Sequence, residues 1–228
     1  MEQSRKVQIA AATALLFHTV GLVGMLFLNR SLFVQLTPLN MLLSMALLFW
    51  TQEARDRSFY LFFAVCFFTG ILTEYSGVNY QLLFGYYVYG EALGPQVGHV
   101  PLIIGVNWFI MMMCCGITVR LLLNAAWNRL RPKDQSPRSD VGFWAIVIDG
   151  ALLATLFDWL MEPVAVKLGF WTWLGGEGIP FKNYWSWFLV SAFLLYLFRR
   201  FPFPKTNQFA VHLLLIQSLF FLILRMFL

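Results

Sequence analysis

Residues 101–120 read PLIIGVNWFIMMMCCGITVR, a run whose only charge is the closing Arg120. At about 1.5 Å per residue, a helix of this length crosses a hydrocarbon core of roughly 30 Å. Pro101 suits its first turn, where the missing N–H is not needed. Six further stretches have the same character: Val7–Leu28, Leu32–Thr51, Ser58–Glu74, Val141–Glu162, Tyr184–Phe198 and Gln208–Phe227. They are unbroken apolar runs rather than the alternating pattern of barrel strands. The expected fold is an all-α polytopic membrane helical bundle with about seven transmembrane helices, forming a single membrane domain over 1–228.

Composition leads to the same solvent. Of 228 residues, 60% are hydrophobic, 18% aromatic and 12% charged, where a soluble domain averages about 45–50% apolar and roughly 25% charged. Half the usual charge does not cover a water-soluble surface, which excludes a soluble enzyme, a disordered chain and a nucleic-acid partner despite the net charge of +5. The basic residues instead set orientation. With the N-terminus in the cytoplasm, Arg5, Lys6, Arg55, Arg57, Arg120, Arg129, Arg131, Lys133, Arg138, Arg199, Arg200 and Lys205 lie inside. Arg30, Lys167, Lys182 and Arg225 lie outside, a split of 12 to 4. The expectation is N-in, C-out, multi-pass in a prokaryotic cytoplasmic membrane, with lipid as the surrounding partner. The first apolar stretch is too long for a signal-peptide core and lacks a cleavage site, so it is expected to stay as a helix. Cys66, Cys114 and Cys115 fall inside spans and read as packing residues.

The polar stretch Asn128–Asp140 reads as a solvated cytoplasmic loop. The outer segments Gly77–Val100 and Pro163–Lys182 are rich in Tyr, Trp and Gly and nearly free of charge, as expected of chain that sits in the interface or folds back into protein. They also carry an internal repeat. Glu74-x-x-Gly77-Val78 matches Glu162-x-x-Ala165-Val166 at an offset of 88. Gly85-Tyr86-Tyr87-Val88-Tyr89 matches Gly169-Phe170-Trp171-Thr172-Trp173 at 84, and Val100-Pro101, Trp108-Phe109 and Arg120 match Ile179-Pro180, Trp187-Phe188 and Arg199 at 79. The offset shrinks only within the loop, where deletions are tolerated. The repeat units are about 58–120 and 141–199, helices three–four and five–six. Both first helices run outward, so the repeat is parallel, with its pseudo-two-fold axis along the membrane normal.

An acid inside a span is costly enough to invite a functional reading. Glu74, Glu91, Asp149, Asp158, Glu162 and Glu177 lie in or just above the membrane. Asp158 and Glu162 are four apart and share a helix face, whereas Asp149 points elsewhere. The expected cluster is Glu74, Asp158 and Glu162. The bland alternative is that these acids only tie loops and helices together. With no basic residue near mid-membrane, at least one carboxyl is expected to keep its proton, and a positioned carboxylic acid is a proton donor. Asn107 could orient a water or a carboxyl, or simply bond a neighbouring helix. Tyr86, Tyr87, Tyr89, Phe170, Trp171 and Trp173 form either an interfacial belt or the walls of a slot whose ring faces stabilise a developing cation. His18, His99 and His212 differ too much in depth for a shared metal site and read as packing residues. Nucleotide, nucleophile-elbow and metal motifs are missing, so no cofactor and no metal are expected.

Thr73-Glu74-Tyr75-x-Gly77-Val78-Asn79, Phe84-Gly85-x-Tyr87-x-Tyr89, Leu93-Gly94-Pro95, Val100-Pro101 and Asn107-Trp108-Phe109 resemble the integral-membrane carotenoid-biosynthesis family. So do Asp158-x-x-x-Glu162-Pro163, Gly169-x-Trp171-x-Trp173, Gly178-Ile179-Pro180 and Asn183-x-x-x-Trp187. The resemblance covers roughly Gly70–Phe198 and implies a cofactor-independent hydratase acting on a linear ψ end group of a carotenoid. The residue roles expected here are chemical ones. Asp158, or second Glu74, protonates the terminal alkene, and Glu162 or Glu91 orients the attacking water. Asn107, Trp108, Tyr87, Tyr89, Trp171 and Trp173 bind the apolar isoprenoid. The alternatives are an end-group cyclase or isomerase, which shares the protonation step, and a heptahelical carrier or sensor without chemistry. A retinal-type sensor would need a Schiff-base Lys within Gln208–Leu228, and none is present. Oligomeric state is not legible in the sequence.

Overall fold

The computed structural model describes residues 2–130, 142–176 and 178–228. Glu177 and the Arg131–Asp140 part of the polar loop lie outside the described residues. Eight helices occur among them: α1 (Glu2–Phe27), α2 (Arg30–Gln35), α3 (Thr37–Thr51), α4 (Arg57–Tyr80), α5 (Ile103–Leu130), α6 (Phe143–Lys167), α7 (Phe181–Arg200) and α8 (Gln208–Phe227). Five of them, α1, α4, α5, α6 and α8, are long and apolar enough to cross a bilayer by length and composition. The protein is a helical membrane bundle.

The expected second span, Leu32–Thr51, is two helices rather than one. Asn29 caps α2, its side chain accepting from Leu32 N–H, and α3 restarts after Leu36 with Pro38 in its first turn. Proline fits a first turn and interrupts an interior. At α6 the opposite happens. The expected end at Glu162, just before Pro163, is passed by more than a turn, and the helix continues to Lys167. Pro163 has no N–H for the carbonyl of Trp159 one turn earlier. Arg225 of α8 supplies the donor instead, its Nη1 lying 3.0 Å from that carbonyl while its guanidinium stacks over the Trp159 ring. In an apolar solvent such substitute donors are what allow a proline within a spanning helix.

α5 is the centre of the bundle. Nearly every residue from Ile103 to Val119 is buried, including the three consecutive methionines Met111–Met113. Lipid tails offer no gradient of apolarity, so such helices associate by close packing and by bonds between polar groups. The three cysteines are buried free thiols. Two short strand pairs involve the segments that join α4 to α5 and α6 to α7, a departure from purely helical structure: β1 (Tyr87–Tyr89) runs antiparallel to β4 (Trp171–Trp173), and β2 (Gln96–Val97) to β3 (Val100–Pro101). The register of the first pair is Tyr87 opposite Trp173, Val88 opposite Thr172 and Tyr89 opposite Trp171. The aromatic loops therefore fold back onto the bundle, their backbone groups satisfied by one another.

Candidate active site

The β1–β4 ribbon delivers four aromatic side chains to two buried acids. Glu74, in the last two turns of α4, accepts from the hydroxyls of Tyr87 and Tyr89, the latter at 2.8 Å, and from the indole N–H of Trp108 at 3.3 Å. Glu162, on α6, accepts at a single oxygen from Trp171 Nε1 at 2.6 Å and Trp173 Nε1 at 2.7 Å. One turn earlier, Asp158 Oδ2 accepts from Asn183 Nδ2 at 2.7 Å. Its other oxygen has no hydrogen-bond partner, and Glu162 follows one turn later on the same helix face. Exposure is 5% for Glu74, 0% for Asp158 and 2% for Glu162. The side chains that donate to the trio, two Tyr, three Trp and one Asn, are all neutral.

Local structure explains the placement. Gly90 N–H bonds Phe170 O at 2.9 Å at the end of the ribbon, and a Cβ on Gly90 would lie 2.3 Å from the carbonyl of Gly169. Phe84 adopts φ +61, a strained value for a non-glycine residue, and its N–H is held by Ser186 Oγ at 3.1 Å. Its ring is buried beside Tyr87 and Trp108. Trp108 in turn stacks on Trp187 with centroids 4.3 Å apart and planes at 18°. Burial first, then the neighbouring Glu74 carboxylate, pushes the phenols of Tyr87 and Tyr89 well above their ordinary range. Both therefore remain O–H donors at neutral pH.

The acids face a cavity of about 440 Å³ whose lining includes no Lys or Arg, a size usual for a small-ligand pocket. Its walls come from all eight helices and the ribbon. It reaches the outside of the bundle between α1 and the α2–α3 break, at Phe17, Val20, Leu36 and Leu39, all exposed. The cavity thus opens sideways.

Of the residues singled out in the sequence, Glu74, Asp158, Glu162, Asn107, Trp108, Tyr87, Tyr89, Trp171 and Trp173 all line this cavity. Glu91 does not. It is exposed in a separate shallow depression with Arg30 and Gly169, because the chain leaves the ribbon after Gly90 and turns at Glu91–Gly94, where Gly94 N–H bonds Glu91 O at 3.3 Å. Asp149 is likewise exposed and away from the cavity lining. The four ribbon aromatics do more than present ring faces, since their O–H and N–H groups hold the carboxyls. Sequence reading gave no role to Asn183, although it opens the Asn183-x-x-x-Trp187 motif, and treated His18 as packing although it lines the cavity. Among the described residues, no group of three or more His, Cys, Asp and Glu is placed to hold a metal.

A membrane bundle with a lateral apolar cavity and buried acids at its inner wall defines a protein built to act on a lipid-soluble molecule. Residues 34–228 match the family described as carotenoid biosynthesis protein. The chain belongs to that family, and its role lies in carotenoid biosynthesis, with an apolar isoprenoid as the substrate class. No curated protein and no solved structure matches the chain.

Proposed function

We propose that the protein hydrates the terminal double bond of a carotenoid ψ end group, giving a tertiary alcohol. The observation that carries this reading is the trio of buried carboxyls, held by neutral donors, at the wall of an apolar, laterally open cavity. Asp158 as the carboxylic acid gives its proton to the less substituted alkene carbon, and the π electrons form that C–H bond. The tertiary cation left behind faces the rings of the site and the nearby carboxylates, both stabilising to positive charge. Water adds to the cation, and its surplus proton returns to a carboxylate, with Glu162 positioned to direct it. Glu74 is the second candidate for either proton. Glu91, outside the cavity lining, takes no part.

The cavity volume suits one end group, and its opening between α1 and the α2–α3 break lets the remaining polyene lie in lipid. In this reading α2 and α3 act together as one span and α7 as another, giving seven spans with the N-terminus in the cytoplasm.

The duplication of about 58–120 and 141–199 belongs to the same proposal, and the ribbon register supports it. With the 84-residue offset, Tyr87 corresponds to Trp171, Val88 to Thr172 and Tyr89 to Trp173. The observed pairing of Tyr87 with Trp173, Val88 with Thr172 and Tyr89 with Trp171 is then the self-complementary pattern a two-fold axis creates. Trp108 stacks on its own counterpart Trp187, and each of Glu74 and Glu162 is held by its own loop. Asp158 breaks the symmetry. Its counterpart at the 88-residue offset (158 − 88 = 70) is Gly70, where a Cβ would lie 2.4 Å from Trp108. An acid present in one half only, inside an otherwise paired frame, marks Asp158 as the group with the singular task.

The test is expression in a host that accumulates a ψ-end carotenoid, followed by pigment mass analysis. Hydration predicts a product heavier by one water. A product of unchanged mass with an altered end group would make the protein a cyclase, and unaltered pigment bound to the purified protein would make it a carrier.

A further inference from the structure

The acids account for only part of the cavity's polar surface. A second polar group stands on the wall made by α1, α3 and α8, at His18, Thr37, Asn40 and Gln217. His18 Nδ1 lies 2.7 Å from Ala14 O. A carbonyl only accepts, so the ring proton sits on Nδ1 and Nε2 is left as an acceptor. That acceptor takes the Asn40 amide N–H at 3.4 Å, which leaves Asn40 Oδ1 with no donor. Gln217 Oε1 and Thr37 Oγ1 also lack a partner, and Gln217 as a whole is 8% exposed. Native proteins leave few buried polar atoms unpaired, because each is destabilising relative to an apolar isostere. Three on the wall of one cavity call for an occupant. A hydrocarbon end group offers no hydrogen to them. The set contains two amide oxygens, a hydroxyl and no carboxylate, which fits a neutral O–H group.

We propose that Asn40, Gln217 and Thr37 form an oxygen subsite that holds an O–H donor within the cavity, supplied by water or by an alcohol on the isoprenoid ligand. The proposal rests on this cavity being the carotenoid site. In the first case the subsite stores the nucleophile within the cavity that holds the acids. In the second it recognises an end that is already hydroxylated.

The experiment uses the purified full chain in lipid nanodiscs. It is titrated, by quenching of tryptophan fluorescence, with a linear hydrocarbon carotenoid bearing ψ end groups and with its tertiary alcohol. Wild type is compared with Gln217→Leu and Thr37→Val, close in size to the originals, so that either can carry the test if the other fails to fold. An alcohol occupant predicts that wild type prefers the alcohol and that the variants lose this preference by about tenfold, the worth of one hydrogen bond, with hydrocarbon affinity unchanged. A water occupant predicts equal affinities throughout, with conversion of the hydrocarbon reduced about tenfold in the variants. Unchanged preference together with unchanged conversion in both folded variants overturns the proposal. Should wild type bind without converting, hydration itself falls, and the subsite is judged on the binding ratio, where an unchanged ratio overturns it.

Discussion

Asp158→Asn separates chemistry from architecture at this site. The carboxyl uses one oxygen to accept from Asn183 Nδ2 at 2.7 Å, and the other has no donor and neighbours Glu162. An asparagine of the same shape keeps its oxygen on Asn183 and turns its N–H2 toward the Glu162 carboxyl, an acceptor. The bonding pattern of the fold is preserved, and the net change amounts to about 1 kcal/mol. For a chain of this size that corresponds to a shift of about 2–4 °C in Tm. The amide, however, does not release a proton to an alkene. Loss of a positioned general acid lowers rates by about 10²–10⁴-fold, so hydration should fall by that factor in a protein that melts almost where wild type does. The assay is single-turnover conversion of a ψ-end carotenoid in nanodiscs, followed by chromatography, alongside thermal unfolding of the same preparation. If Asp158→Asn converts substrate at the wild-type rate, Asp158 is not the acid, and the argument from the broken symmetry at Gly70 fails with it.

Trp171→Phe and Trp173→Phe each remove one N–H from the same oxygen of Glu162, and each should slow conversion about tenfold. Conversion at the wild-type rate in the double variant would show that Glu162 needs no such support. Arg225→Leu strips the donor from the Trp159 carbonyl beneath Pro163 and should destabilise the protein by about 1–3 kcal/mol, read as a lower Tm in detergent. An unchanged Tm would mean that α6 tolerates the orphan carbonyl. Gly90→Ala puts a methyl group into the Gly169 carbonyl and should open the ribbon, lowering both Tm and conversion. Tyr87 and Tyr89 hold their protons more tightly in the folded state than the usual phenol value of about 10. Their contribution to stability is therefore intact below pH about 10 and is lost as pH rises through their raised values, because the unfolded chain gives up those protons first. Ultraviolet titration of the Tyr87→Phe/Tyr89→Phe double variant against wild type reads this directly. Ionisation of both phenols near pH 10 in folded wild type would contradict it.

Much of the architecture is local enough to read from the chain. Long apolar runs announce helices, and the Asp158–Glu162 spacing of four places both acids on one face without reference to any other element. The paired aromatic triplets Tyr87-Val88-Tyr89 and Trp171-Thr172-Trp173 are visible as a repeat, but their role as donors is not, because it depends on a ribbon joining segments 84 residues apart. The run of α6 beyond Pro163 is hidden for the same reason, since its remedy is an arginine 66 residues beyond Trp159. The bond from Asn183 to Asp158 crosses between α6 and α7 and leaves no periodic trace. Glu91 misleads in the other direction. In the sequence it adjoins the aromatic triplet, but the turn at Glu91–Gly94 takes the chain out of the ribbon and away from the acids. His18 and Gln217 look like isolated polar residues on apolar helices until α1, α3 and α8 are brought around one cavity.

Whether this protein adds water across an alkene is read from the fate of the oxygen. Purified protein in nanodiscs is supplied with a ψ-end carotenoid in water labelled with heavy oxygen, and the product is analysed by mass spectrometry. Hydration predicts a tertiary alcohol whose new oxygen carries the label. A product with no added oxygen, or with an unlabelled one, would contradict it.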